Sequence, residues 1–280
     1  MNISKFKYAK SRDGIIGFLN VLSGKIGFKF RFLTAIDKRK IWLVDYLFSI
    51  TSGKIISGLF KGMKLAKKSN WDKKIYKFNT DLSSKIVGCY EKEVQDKIAE
   101  LQKKNKKKYF VNFGAGEGYF ALGVLHSGLF EKSLAFEISS KSRDIMSENS
   151  KLNNLEEKLL VKDIANKNFL IDIEENFKKL NDIFLLVDIE GDEFNIFNEK
   201  NLEPIKNCNL IIEFHELHEH KKNQEFISKI KKYFNVEIMK TSNRDFSKIS
   251  ILKNLNDDDR WLIASENRPY SMTWLVCSPK

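Results

Sequence analysis

Only three cysteines occur in 280 residues, Cys89, Cys208 and Cys277, far apart and odd in number. They argue against a disulfide framework and against a zinc site of the CxxC type. There are only three prolines. Together with the absence of long low-complexity stretches, that excludes a Pro-rich or disordered chain. No run of about 18 apolar residues is present, so the sequence offers no membrane-crossing helix. The opening MNISKFKYAKSRDG leads into no apolar segment with a small-residue cleavage site. No leader is read there, and a reducing, cytoplasmic setting is the expectation.

What is present suits a packed core. The chain is 42% hydrophobic and 12% aromatic, enough for one large domain or a domain with a cap. Charge is unevenly placed: residues 1–110 carry a net +17 and the remainder a net −5. A basic region can attract phosphate, nucleic acid, anionic lipid or acidic sugar, or be a solvated lysine-rich face. Residues 1–106 show short amphipathic pieces and no strand–helix alternation. Between Gly14 and Leu33, Ile15, Ile16, Phe18, Leu19 and Leu22 precede Phe28, Phe30 and Phe32, which alternate with Lys29 and Arg31. Such a stripe can lie on an anionic membrane surface; packing onto the body of the protein is the expectation. Val94, Ile98 and Leu101 recur at helical spacing and predict a helix over 91–104. The lysine run from Lys103 to Lys108 reads as a solvated turn.

From Tyr109 the pattern changes. Apolar runs YFVNFG, SLAFEIS, LLVKDI, IFLLVDIEG, NLIIEFHE and MTWLVCS alternate with helical segments, one of them expected from about Phe169 to Leu180. The alternation predicts an α/β fold, with a mostly parallel Rossmann-like sheet covered by helices on both faces and preceded by a mainly helical basic region. The division is 1–106 as a cap or substrate region and 107–280 as the sheet domain, with an insertion near 245–270. Ligands of such sheets bind at the carboxyl ends of the strands.

Those ends are rich in functional groups. The first gives Asn112-Phe113-Gly114-Ala115-Gly116-Glu117-Gly118, a glycine turn that lets backbone approach a ligand. Glu137 ends the second strand 19 residues after Gly118, where a carboxylate can accept from both ribose hydroxyls of a nucleoside cofactor. Asp163 ends the third and can face an adenine amino group. The fourth ends in DIEGDE, Asp188 to Glu193, whose acids can bind the amino end of a cofactor, orient an acceptor or hold a cation. On the fifth, Glu213 and His215 point to one side, and a histidine of near-neutral pKa suits a general base. The string HELHEH looks like ligand material, but a solvated loop is the expectation and no metal is called for.

These segments resemble the FkbM-type methyltransferases, whose members methylate hydroxyl groups of sugars and polyketides. The resemblance rests on VNFGAGEGYFALG, AFE, LLVDIEGDEFNIF and LIIEFHE, covering about residues 108–216. Asp188, Glu190, Gly191 and Glu193 fall on the family's acidic motif. It implies S-adenosylmethionine as cofactor, with contacts from Asn112, Gly114, Ala115, Gly116, Gly118, Glu137, Asp163 and Asp188. The Tyr90-Glu91 segment looks like one that closes over the cofactor in such domains. Asn112 departs from the family, where most relatives carry Asp. Arg260, Trp261, Arg268 and Tyr270, near the last strand, are candidate acceptor contacts together with Glu213.

The expected reaction is O-methylation of a hydroxyl on a sugar, glycan or related small molecule, with His215 or Glu190 as base and Asp188 beside them. Rivals are an RNA ribose methyltransferase and a non-catalytic adaptor with a degenerate fold. DIEG stands where enzymes acting on base amino groups carry an Asn/Asp-Pro-Pro-aromatic segment, so nucleic acid is not the expected partner.

Overall fold

The computed structural model describes residues 3–25, 32–68, 81–217, 219–247, 249–266, 268 and 271–280. Among the described residues seven strands form one sheet: β1 Tyr109–Phe113, β2 Lys132–Phe136, β3 Leu159–Lys162, β4 Ile183–Val187, β5 Asn209–Glu213, β6 Phe234–Lys240 and β7 Thr273–Pro279. Their order is β3-β2-β1-β4-β5-β7-β6. The first five are parallel, and β7 runs antiparallel between β5 and β6. The chain steps outward from β1 to β3, then returns to lay β4 on the other side of β1. The crevice for a ligand therefore opens above the carboxyl ends of β1 and β4.

Alternate residues of each strand face opposite sides. Phe110, Ala135, Phe184, Leu186, Ile211, Trp274 and Val276 point to one core; Val111, Phe113, Phe136, Leu185, Val187, Ile212 and Leu275 point to the other. Both sides are covered, which explains why the central strands read as unbroken apolar runs. The second core is closed by α7 (Phe169–Asn176), α8 (Glu193–Ile196), α9 (Glu199–Ile205) and α10 (His220–Tyr233). Helix α7 stops at Asn176, short of the expected Leu180. Phe177 turns inward, with 1% of its surface exposed, and its ring stacks on Tyr109 with centroids 4.4 Å apart. Burying an aromatic ring there contributes about 3–5 kcal/mol relative to alanine and outweighs another turn of helix.

The first core holds α5 (Tyr119–His126) and most of the region before the sheet. That region is helical as expected, but its helices are not all short. Helix α1 (Ile3–Lys25) breaks at Gly14, and α2 (Ala35–Thr51) has 17 residues behind a capping box of Thr34 and Asp37. Leu43 and Leu47 of α2, Ile86 of α3 (Leu82–Val87), and Val94 and Ile98 of α4 (Lys92–Lys104) join Phe60 against the sheet. The 91–104 expectation thus agrees with α4 to one residue. Residues 249–264 add Ile249, Leu252 and Ile263, the last on α11 (Asp257–Ala264). Helix α6 (Ser140–Leu152) follows β2. Ser83 Oγ donates to the Ile263 carbonyl at 2.8 Å, and Arg39 Nε to Asp259 at 2.8 Å, tying the early helices to the late segment.

The stripe expected to pack does so incompletely. Ile15, Phe18, Leu19, Leu22 and Phe32 stay exposed, while residues 26–31, with Phe28 and Phe30, lie outside the described residues. No described helix is long and apolar enough to cross a membrane.

Candidate active site

A cavity of about 810 Å³ opens at the β1/β4 switch point. Asn112, Gly114, Ala115, Gly116, Glu137 and Asp163 line one part of it; Tyr90, Glu91, Asp188, Glu190 and Glu213 line another. The structure therefore brings together residues from five strand ends and from the segment before α4.

Gly114 makes the turn after β1 with φ of 73°, and a Cβ there would stand 1.7 Å from the Asp188 carbonyl oxygen. Only glycine lets the two strand ends approach this closely. Gly118 acts differently. It does not line the cavity, and a Cβ would press on Met146 of α6 at 2.6 Å. The expected cofactor contact from Gly118 is thus replaced by packing of α5 on α6.

Glu137 is 6% exposed and held on both oxygens. Gly116 N donates to Oε2 at 2.7 Å and Ser139 N to Oε1 at 2.8 Å. These bonds fix the carboxylate and leave each oxygen a further lone pair. Asp163 is exposed at the rim, beside Ile164. Buried Asn112 donates through Nδ2 to the Leu186 carbonyl at 3.3 Å, so its amide serves the β1–β4 seam.

The opposite part is crowded with acids. His215 Nδ1 bonds to Glu193 Oε1 at 2.7 Å, and its Nε2 stands 3.7 Å from Asp188, 3.7 Å from Glu213 and 3.8 Å from Glu190. Burial opposes the imidazole's charge, but the Glu193 hydrogen bond and the surrounding carboxylates outweigh it and lift its pKa to about 9. The expectation of a near-neutral histidine is corrected: the acids around the ring raise His215 above the ordinary imidazole range. Burial first, then the charge of Glu91, pushes Asp188 up to about 7; burial and the charge of Asp188 do the same for Glu213.

Arg268 offsets part of this charge. Its guanidinium donates to Glu213 Oε1 at 2.9 Å, to Glu266 Oε2 at 2.9 Å and to Glu91. Burial raises Glu91 to about 8, with Arg268 pulling the other way. Arg244 joins Glu93 and Glu266, each at 2.8 Å, so the segment before β7 is clasped onto α4.

Two candidate acceptor contacts are elsewhere. Arg260 pairs with Asp257, and Trp261 meets the Phe246 ring edge-on at 5.0 Å; neither lines the cavity. On α11 the face carrying Ile263 is buried, which turns Trp261 outward, 53% exposed. Tyr270 and His218 lie outside the described residues.

Sequence reading missed Lys85. It is buried, pairs with Asp81 and with Glu117 of the glycine turn, and sits 4.5 Å from the centre of the Tyr90 ring. Burial opposes its charge, but Asp81 and Glu117 prevail and hold its pKa above the ordinary lysine value. Asp81, four residues earlier, is a local partner, but Glu117 is 32 residues on, and no local spacing announces that contact. Glu193 lay within the acidic motif, and a partner for His215 was the role to seek.

A Rossmann-like sheet with an acid after β2, a glycine turn after β1 and a cavity over the switch point defines a nucleoside-cofactor protein. The model of the family described as methyltransferase FkbM domain matches residues 60–247, well over half of the chain, and the protein belongs to that family. No curated protein matches the sequence significantly. Among solved structures, it is similar to the O-methyltransferase from Bacillus cereus in complex with SAH, with a TM-score of 0.44 and 14% identity over 66% of this chain and 81% of that one. It is also similar to M. capricolum TrmK in complex with S-adenosyl-homocysteine, with a TM-score of 0.39 and 14% identity over 65% and 67%.

Proposed function

We propose that the protein transfers a methyl group from S-adenosylmethionine to a hydroxyl oxygen of a sugar, glycan or related small molecule. The observation that supports this most is that one cavity spans two chemically distinct sets of strand ends: the fixed carboxylate Glu137 after β2, on one side of β1, and the Asp188, Glu190, Glu213 cluster after β4 and β5, on the other. The cofactor fits the first set. Glu137 has a lone pair on each oxygen for the ribose hydroxyls, Gly114, Ala115 and Gly116 line the cavity, and Asp163 at the rim would accept from the adenine amino group.

S-adenosylmethionine supplies an already activated methyl group, so the protein has mainly to position the acceptor and take its proton. The acidic end does both. Asp188 and Glu190 face the cavity; either carboxylate can accept the hydroxyl's hydrogen bond and take its proton as the O–C bond forms and the S–C bond breaks, with His215 beside them to hold the carboxylates in place. Glu193 fixes the imidazole through Nδ1, leaving Nε2 directed at the carboxylates. Arg268 pairs with Glu213 and keeps the cluster's charge partly balanced, while Lys85 pairs with Glu117 of the glycine turn.

The test is transfer of radiolabelled methyl from S-adenosylmethionine to a panel of sugars, glycan fragments and RNA. Label on a sugar hydroxyl is expected. Label on RNA alone would replace this reading by ribose methylation. His215→Ala should lower turnover about 100-fold or more while cofactor affinity changes less than about threefold; equal losses in both would remove His215 from the acceptor end.

A further inference from the structure

The acidic end holds a feature that proton transfer does not require. His215 Nε2 faces three carboxylates at 3.7–3.8 Å, too far for hydrogen bonds. One donor atom each from Asp188, Glu213 and His215 lies within 4.8 Å of the other two. Two ligands about 2.1–2.2 Å from one shared ion stand roughly 3–4 Å apart, which is the spacing seen between Nε2 and the oxygens.

A second observation is independent of that clustering. The Glu213 side chain is only 3% exposed, its Oε1 is 3.7 Å from His215 Nε2, and its Oε2 has no hydrogen-bond partner. Asp188 Oδ1, the atom facing Nε2, is likewise shielded from solvent and without a hydrogen bond. Bare carboxylate oxygens inside a protein are costly unless a cation meets them.

The histidine is also oriented as a ligand. Nδ1 meets Glu193 Oε1 at 2.7 Å, and the Glu193 side chain is 1% exposed. With Nδ1 held by a buried carboxylate, a metal ion that displaces the Nε2 proton meets that nitrogen's lone pair already aimed at the other ligands. Arg268 balances Glu213 only through Oε1.

We infer that Asp188, Glu213 and His215 form a binding site for one divalent first-row cation of the Mn2+ type, with Glu193 positioning His215. Two carboxylates and one imidazole make a mixed oxygen–nitrogen set, which suits such ions better than Ca2+. Three protein ligands leave coordination positions open toward the cavity, since Asp188 and Glu213 both line it. On the methyl-transfer reading, those positions would take the acceptor's hydroxyl oxygen; the site itself does not depend on that reading.

The experiment is titration of tag-free, metal-stripped full-length protein with Mn2+, following loss of the free-ion electron paramagnetic resonance signal. S-adenosylmethionine binding is measured in parallel by calorimetry, and each variant's fold is checked by circular dichroism. One ion per chain is expected. His215→Ala and Asp188→Asn should weaken binding at least tenfold, and Glu193→Gln by about 10–100-fold. His220→Ala, at an exposed position on α10, should leave it unchanged. No Mn2+ uptake at millimolar concentration, or uptake that survives in folded His215→Ala, would overturn the inference. Cofactor binding without Mn2+ uptake rejects the metal site alone; Mn2+ uptake without cofactor binding rejects the methyltransferase reading alone.

Discussion

Replacing Arg268 by methionine removes the cation that three acids share. Its guanidinium bridges Glu91, Glu213 and Glu266, whose side chains are 6%, 3% and 7% exposed. Methionine keeps most of the stem's packing, so the loss is chiefly electrostatic. Breaking a buried pair from one side costs about 3–5 kcal/mol. For a chain of this size that corresponds to a fall in Tm of roughly 5–9 °C. The cost should depend on pH in a definite direction. Glu91 titrates near 8 in the folded chain, above its unfolded value of about 4.3. The folded state therefore binds more protons between those values. The stability linked to Glu91 is full below about pH 4 and is lost as pH rises through about 8. Without Arg268 the carboxyl rises further, because the guanidinium was holding it down. At pH 6 Glu91 is neutral with or without Arg268, so the deficit is smallest there; at pH 9 it is largest. Thermal unfolding of both proteins followed by circular dichroism at pH 6, 7.5 and 9 measures this. An equal deficit at all three, or none, would refute the reasoning that Arg268 acts by compensating buried carboxylates.

Two other expectations are simpler to check. Glu137→Gln keeps the shape and one acceptor oxygen but loses the charge. Charge-assisted hydrogen bonds contribute about 1.5–3 kcal/mol each, so S-adenosylmethionine affinity should fall about 30-fold by calorimetry; the amide also turns NH2 toward the Gly116 or Ser139 N–H, which lowers Tm by about 2–5 °C. Trp261→Ala should leave kcat/KM within about twofold, since Trp261 packs on Phe246 away from the cavity; a tenfold loss would bring α11 into acceptor binding.

Much of the sheet was legible because its signals are local. FLLV and LII are continuous apolar runs since both faces of β4 and β5 are covered, and each run stops at a polar strand end. Glu137, Asp188 and Glu213 could be found because topology turns strand ends toward one crevice. What escaped depends on contacts between distant segments. Lys85 is tied to Glu117, 32 residues on, and Arg268 to acids from α4's entrance, β5 and the loop after α11. Gly118 had the spacing of a cofactor contact, yet Met146 decides its role. Arg260 and Trp261 were picked by nearness in sequence to the last strand, and a helix carries them away from it. The titration of His215 was misjudged for a similar reason: Glu193, which lifts it, is 22 residues earlier in the chain.

Calorimetry of the wild-type protein with S-adenosylmethionine, and with NADH as the control, tests the central claim most directly. One molecule of S-adenosylmethionine bound per chain, with no heat from NADH, is the result predicted from the fixed Glu137 carboxylate and the cavity beside it. Binding of NADH in its place, or of neither, would contradict a methyltransferase site at the ends of β1, β2 and β4.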